Sequence, residues 1–203
     1  MTAPASEVPQ ATAELDEFLW RTWKALECPE GCRAEIIEGS IEVSPTGHRR
    51  HAVLANRLWR ALNAYLKGGV FAPYQGIDIL HRRKAWRPDL VVAPLDLDEI
   101  PDEEEDLGVN AAGVALVVEV VSPGHQNTAR DRDRKRREYA RAGIPLYVLI
   151  DDHDSDGTVV ILTAPNPGKA TYADEHRVPY GTDAIIPDGP AKGFAIGEEI
   201  TRL

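Results

Sequence analysis

Residues 116–151 read LVVEVVSPGHQNTARDRDRKRREYARAGIPLYVLID, and this stretch decides the fold. It opens in an apolar run, residues 114–121, that carries one acid, Glu119. A Ser-Pro break follows, then a highly charged segment, then a second apolar run ending in Asp151 and Asp152. A continuous Val/Leu run is the pattern of a strand in the centre of a sheet, covered on both faces. The spacing predicts a strand over 114–121, a helix over 128–142 stopped by Gly143, and a strand over 145–150. Two strands joined through a helix form a crossover with a parallel pair. A carboxylate inside such a strand is costly to bury unless a metal, a lysine or hydrogen-bond donors meet it.

Upstream, Arg87-Pro88-Asp89-Leu90-Val91-Val92 repeats the theme, with an acid at the mouth of another apolar strand over 88–93. If the two strands are neighbours, Asp89 and Glu119 face one point. Hard oxygen ligands so arranged suit Mg²⁺ or Mn²⁺. The competing reading is a pair of strand-end acids held by arginines or capping a helix. Asp131, Lys135 and Tyr139 are spaced four apart and share one helix face. A lysine there either stabilises charge beside a metal-bound phosphate or is one more solvated lysine in a basic helix. His51, at the start of another helix, is either a helix-start histidine or a substrate contact. Glu35 and Glu38 lie in a hairpin, and Glu38, next to the turn, is either turn chemistry or a further acid at the site. Asp151 and Asp152 are expected to shape a turn. Trp20, Trp23, Trp59 and Trp86 are expected in the core or an interface.

Around this centre the remaining elements fall into place. Residues 1–11 are Pro/Ala/Ser-rich and expected to be disordered, leaving residues 12–203 as a single domain. A helix is predicted over 13–27, a hairpin over 33–45 with Gly39 in its turn, and a helix over 51–67 stopped by Gly68-Gly69. A strand over 70–80 is broken near Pro73 and Gly76, an acidic block over 96–106 forms an exposed loop, and a strand pair spans 158–163 and 170–178. The Pro/Gly-punctuated tail, 183–203, is expected to cover an edge. The fold class is a mixed α/β sandwich around a central sheet.

Composition narrows the function. No apolar run approaches the roughly 20 residues that span a membrane. The N-terminal sequence has neither a basic region nor an apolar core, so it does not read as a signal peptide, and a cytoplasmic setting is expected. Cys28 and Cys32 read as reduced thiols in a turn, without the further ligands a zinc site needs. The net charge of −10 argues against a nonspecific nucleic-acid binder. The basic clusters Arg82-Arg83-Lys84-Arg87 and Arg130 to Arg141 leave room for a local phosphate-binding face.

The segments RAEIIEGSIEVSPTGHRRH (33–51), RPDLVV (87–92), VVEVVSP (117–123) and the D-x3-K-x3-Y-x3-G helix beginning at Asp131 occur in an order that resembles the Uma2 (DUF820) family. The resemblance runs from about Arg33 to the C-terminus. It implies a restriction-endonuclease-like core of the PD-(D/E)xK superfamily, with an N-terminal helix and β-hairpin, and hydrolysis of nucleic-acid phosphodiester bonds, DNA first, with Mg²⁺ or Mn²⁺. It further implies that Asp89 and Glu119 hold the metal with the Val120 carbonyl, while Lys135 orients water and stabilises the transition state. Val121 stands where the superfamily has its lysine, and Lys135 is the family's replacement on the following helix. Glu38 and His51 match the family's acidic hairpin position and helix-start histidine. A homodimer pairing active-site edges is also implied, and no membrane partner. The −10 charge and Val121 equally suit a catalytically inactive nuclease-fold binding or interaction module.

Overall fold

The computed structural model describes residues 7–45, 47, 49–101 and 107–202. Helix α1 (Glu7–Lys24) leads into the hairpin β1 (Cys32–Ile37) and β2 (Ser40–Pro45), then helix α2 (Arg49–Tyr65). Strands β3 (Phe71–Tyr74), β4 (Ile79–His81), β5 (Lys84–Trp86), β6 (Leu90–Pro94), β7 (Val109–Asn110) and β8 (Leu116–Val120) follow. The crossover contains helix α3 (His125–Ala129), one π turn (Arg130–Arg134) and helix α4 (Lys135–Ala142). Strands β9 (Leu146–Asp151), β10 (Thr158–Asn166), β11 (Thr171–Pro179), β12 (Ala184–Ile185) and β13 (Ala195–Ile196) precede the last helix, α5 (Glu198–Thr201).

Among the described residues the central sheet has six strands in the order β11-β10-β9-β8-β6-β3. β8 and β9 are parallel, as the crossover requires, and the other neighbours are antiparallel, so the sheet is mixed. Strand alternation divides its side chains between two cores. Leu90, Val92, Leu116, Val118 and Val120 pack towards Leu54, Leu58 and Leu62 of α2. Val91, Val117, Val121 and Leu149 pack on the other face with Trp86, Tyr139 and Tyr147. The β3 edge is blunted: Pro73 has no N–H to offer, and its carbonyl accepts the Trp59 indole N–H at 2.9 Å.

Several boundaries differ from the sequence reading. α1 begins at Glu7, inside the stretch expected to be disordered; residues 1–6 lie outside the described residues. Pro9 is tolerated there because first-turn amides have no helical acceptor anyway. The tail covers a face, not an edge: Ala184, Ile186, Phe194, Ile196 and Ile200 complete the α2 core, since one helix is too narrow for six strands. Arg50 and Arg57 of α2 hold the carbonyls of Thr201 and Arg202 at 2.7–2.8 Å. β4 and β5 form a hairpin that composition did not reveal, because its turn is Arg82-Arg83 (φ 47° and 62°), not Asn-Gly. Of the acidic block, Leu97–Glu99 is a 3-10 turn capped by Asp96, while residues 102–106 lie outside the described residues.

Candidate active site

The β6–β8 register pairs Leu90 with Val118, and one step further puts Asp89 opposite Glu119. Both acids share the α4 side of the sheet with Val91 and Val117, because side chains alternate along each strand. Asp89 Oδ2 accepts the backbone N–H of Val120 at 2.7 Å and is 2.8 Å from His51 Nε2. Its Oδ1 accepts from Arg33 Nη1 at 3.3 Å. Burial alone would raise this carboxyl, but His51 and Arg33 hold it down to about 2. Burial works against the charged form of His51, yet the hydrogen bond and charge of Asp89 outweigh it and raise the imidazole.

Lys135 begins α4 and is 0 % exposed. Its Nζ lies 2.8 Å from Glu119 Oε1 and 2.8 Å from Glu35 Oε1. The Tyr139 hydroxyl donates to the same Glu119 oxygen at 2.6 Å. A lysine two residues after Glu119 would share its face; Val121 fills that place in the core, and the ammonium arrives from α4. The π turn sets this aim. Lys135 N–H bonds the Arg130 carbonyl, five residues back, so the helix carries an extra residue where the site is built.

Glu35 and Arg33 are the members that sequence reasoning missed. Along β1, Arg33, Glu35 and Ile37 share one face, and Ile37 belongs to the α4-side core. That alternation was the available signal. Glu35 Oε1 also accepts the Arg87 amide at 2.8 Å, while Oε2 and Arg33 Nε stand 3.5 Å apart, both buried and without a hydrogen bond. Arg130 and Asp131 complete the cluster, with Arg130 Nε 2.9 Å from Asp131 Oδ1 and the Ser122 amide on Oδ2 at 3.2 Å. Four carboxylates (Glu35, Asp89, Glu119, Asp131) thus face four bases (Arg33, His51, Arg130, Lys135), neutral overall when His51 is protonated. The sharing is uneven. Burial, aided by the charges of Asp89 and Asp131 and opposed by Lys135, pushes Glu119 up to about 7. Burial would raise Glu35 as well, but Lys135 and Arg33 hold it below the usual carboxylate value.

Glu38 does not join this cluster. It sits in the β1–β2 turn at φ 47°, where Arg137 reaches its Oε1 at 2.6 Å and Arg134 and Arg141 stand within 3.4 Å. In this structure its partners are these arginines, and Glu35, two residues inside the strand end, takes the inner place beside Lys135. Asp151 shapes its turn through the His153 amide at 2.9 Å and anchors Arg132 at 2.6 Å. The basic clusters are largely neutralised. Lys84, Arg83 and Arg87 pair with Asp16, Glu17 and Asp78, and Arg132, Arg134, Arg136, Arg137 and Arg141 all hold acids. The open side of the site is a cleft of about 510 Å³ lined by Arg33, His51, Arg87 and Asp89.

Among the described residues no three His, Cys, Asp or Glu side chains converge as a ready metal cage. The donors nevertheless fit a hard divalent cation in kind, being two facing carboxylates beside a backbone segment. Two observations agree: Lys135 does not offset the burial of Glu119, and the buried Glu35 Oε2 has no hydrogen-bond donor among the described residues.

Fold and site together define a mixed α/β protein whose central sheet carries a buried acid–lysine cluster behind an open cleft. A family model described as "Putative restriction endonuclease" matches residues 20–195, and the chain belongs to that family, Uma2. A solved structure, "a putative nuclease belonging to DUF820 from Anabaena variabilis ATCC 29413", is similar in fold, with a TM-score of 0.65 and 20 % identity. The match covers 92 % of this chain and 96 % of that one. Among curated proteins nothing matches. No described helix is long and apolar enough to cross a membrane.

Proposed function

We propose that this protein is a divalent-metal-dependent endonuclease that hydrolyses nucleic-acid phosphodiester bonds, DNA first, in the cytoplasm. The observation that carries the reading is the Asp89–Glu119 pair, opposed across β6 and β8 and backed by Lys135. Asp89, Glu119 and the Val120 carbonyl would hold Mg²⁺ or Mn²⁺, which when bound polarises a phosphoryl oxygen and acidifies a water. Lys135 is sealed from the cleft and acts as a positioning residue, fixing the Glu119 carboxylate. Arg33 and His51 line the cleft and offer positive charge to the scissile phosphate, which is where electrostatic stabilisation counts. Purified full-length chain with Mn²⁺ should nick single- or double-stranded DNA, and Asp89→Asn should abolish it. Absence of cleavage of DNA and RNA, with Mn²⁺ affinity unchanged by Asp89→Asn, refutes the proposal.

One observation favours a second reading, a catalytically inactive nuclease-fold binding module. Asp89 already has ion-pair partners in Arg33 and His51, and Glu119 has one in Lys135. That reading expects the chain to retain nucleic acid or a protein partner without turnover, and Asp89→Asn to leave the retention unchanged.

A further inference from the structure

Helix α1 lies outside the sheet, and its two sides have different partners. Leu19, Trp20 and Trp23 face inward against Ile36, Leu80 and Ala85. Asp16 and Glu17 reach sideways to Lys84 and Arg83 at 2.5 and 2.9 Å. An exposed apolar row runs along the solvent side, with Leu15 46 % and Phe18 57 % exposed, then Thr22 and, just past the helix, the exposed Ala25 and Leu26. A stripe at this spacing is what a helix presents to another helix.

The charges beside the stripe indicate which helix. Glu14 stands on one flank a turn before Phe18, and Arg21 stands on the same flank nearly a turn after it. In an antiparallel pair of identical helices related by a two-fold, each flank meets its own counterpart. With Phe18 at the axis, Glu14 of one copy faces Arg21 of the other, twice. Arg21 makes a long 3.8 Å contact with Glu17, both side chains being open to solvent. Of the two edges of the central sheet, β3 is closed to a second copy by Pro73 and Trp59.

We propose that α1 is a self-association surface, pairing antiparallel with α1 of a second copy about Phe18, with Glu14–Arg21 ion pairs fixing the register. The proposal is independent of the nuclease reading and differs from a dimer built on active-site edges. One helix pair buries less than the roughly 1,200–2,000 Å² of a standard interface, so the dimer is a weak, concentration-dependent one. Sedimentation equilibrium of the full chain, with circular dichroism to confirm folding, tests it. The wild type should dimerise, and Phe18→Glu should weaken the dimer on the order of a hundredfold, because a central apolar anchor becomes charged. Glu14→Arg and Arg21→Glu should each weaken it on the order of tenfold, and the double swap should restore it. A wild type monomeric up to about 1 mM, near the weak end of specific association, overturns the proposal. So does a dimer indifferent to Phe18→Glu, or a double swap no better than the single ones.

Discussion

Replacing Lys135 by Met keeps the length and apolar stem of the side chain and removes the ammonium that two buried carboxylates share at 2.8 Å each. Deleting one partner of a buried pair costs about 3–5 kcal/mol, since an uncompensated charge stays behind. With two carboxylates affected, the upper end applies at pH 8. The loss should depend on pH. In the native protein Lys135 helps hold Glu35 below its usual value, while Glu119 already lies at about 7. Without the ammonium both carboxyls lie above the unfolded value of about 4.3, so the folded state binds protons that the unfolded state has released. A raised acid removes stability as pH climbs past the unfolded value, by about 1.4 kcal/mol for every pH unit that separates the folded value from the unfolded one. Glu35 changes most because it starts lowest. Urea unfolding should therefore find Lys135→Met nearly native near pH 4.5 and about 4–5 kcal/mol less stable at pH 8. Adding Glu35→Gln should recover part of the loss at pH 8. An equal loss at both pH values, or one under about 1 kcal/mol, would refute the shared-ammonium account.

Three further outcomes follow from the geometry. Tyr139→Phe removes the 2.6 Å hydrogen bond to Glu119 and should cost about 1.5–3 kcal/mol in urea unfolding, with little change in the m-value. Glu38 lies below the usual carboxylate value mainly through its Arg137 hydrogen bond, so its contribution is present above the unfolded value and lost as pH falls through the lower folded one; Glu38→Gln should flatten that acid limb of the stability curve. Gly157 has φ 100°, and a methyl there would run into the Tyr180 ring, so Gly157→Ala should lower stability by about 2 kcal/mol or more on thermal unfolding.

The parts that were legible in the sequence are those governed by period and burial. The apolar runs of β8 and β9 announce a parallel central pair, and Asp89 and Glu119 can face one point if their strands are neighbours, which the β6–β8 register makes them. Glu38 matches the family's acidic hairpin position, yet its place beside Gly39 says nothing about which way the neighbouring strand residues point. Glu35 and Arg33 point inward, with Ile37, and that was readable only once β1 was known to lie over the α4 side. The π turn was not readable. Asp131, Lys135 and Tyr139 look like a plain helical row, and an inserted residue leaves no mark on composition. The hairpin β4–β5 was hidden for a similar reason: two arginines occupy left-handed positions where glycine or asparagine gives the usual signal.

The hairpin β1–β2 forms its own two-stranded sheet and shares no ladder with the six-stranded one among the described residues. Its inner end is fastened to the crossover by Ile37 in the core and by charge, through Glu35 on Lys135 and Glu38 on Arg134 and Arg137. The charged half of that attachment ties the hairpin to the state of the site. Its amide-exchange protection should report the site's state of charge compensation, opening when Lys135 is neutralised and tightening when a cation is added. A reaction-independent gauge of what occupies the site is thus built into the backbone of residues 32–45.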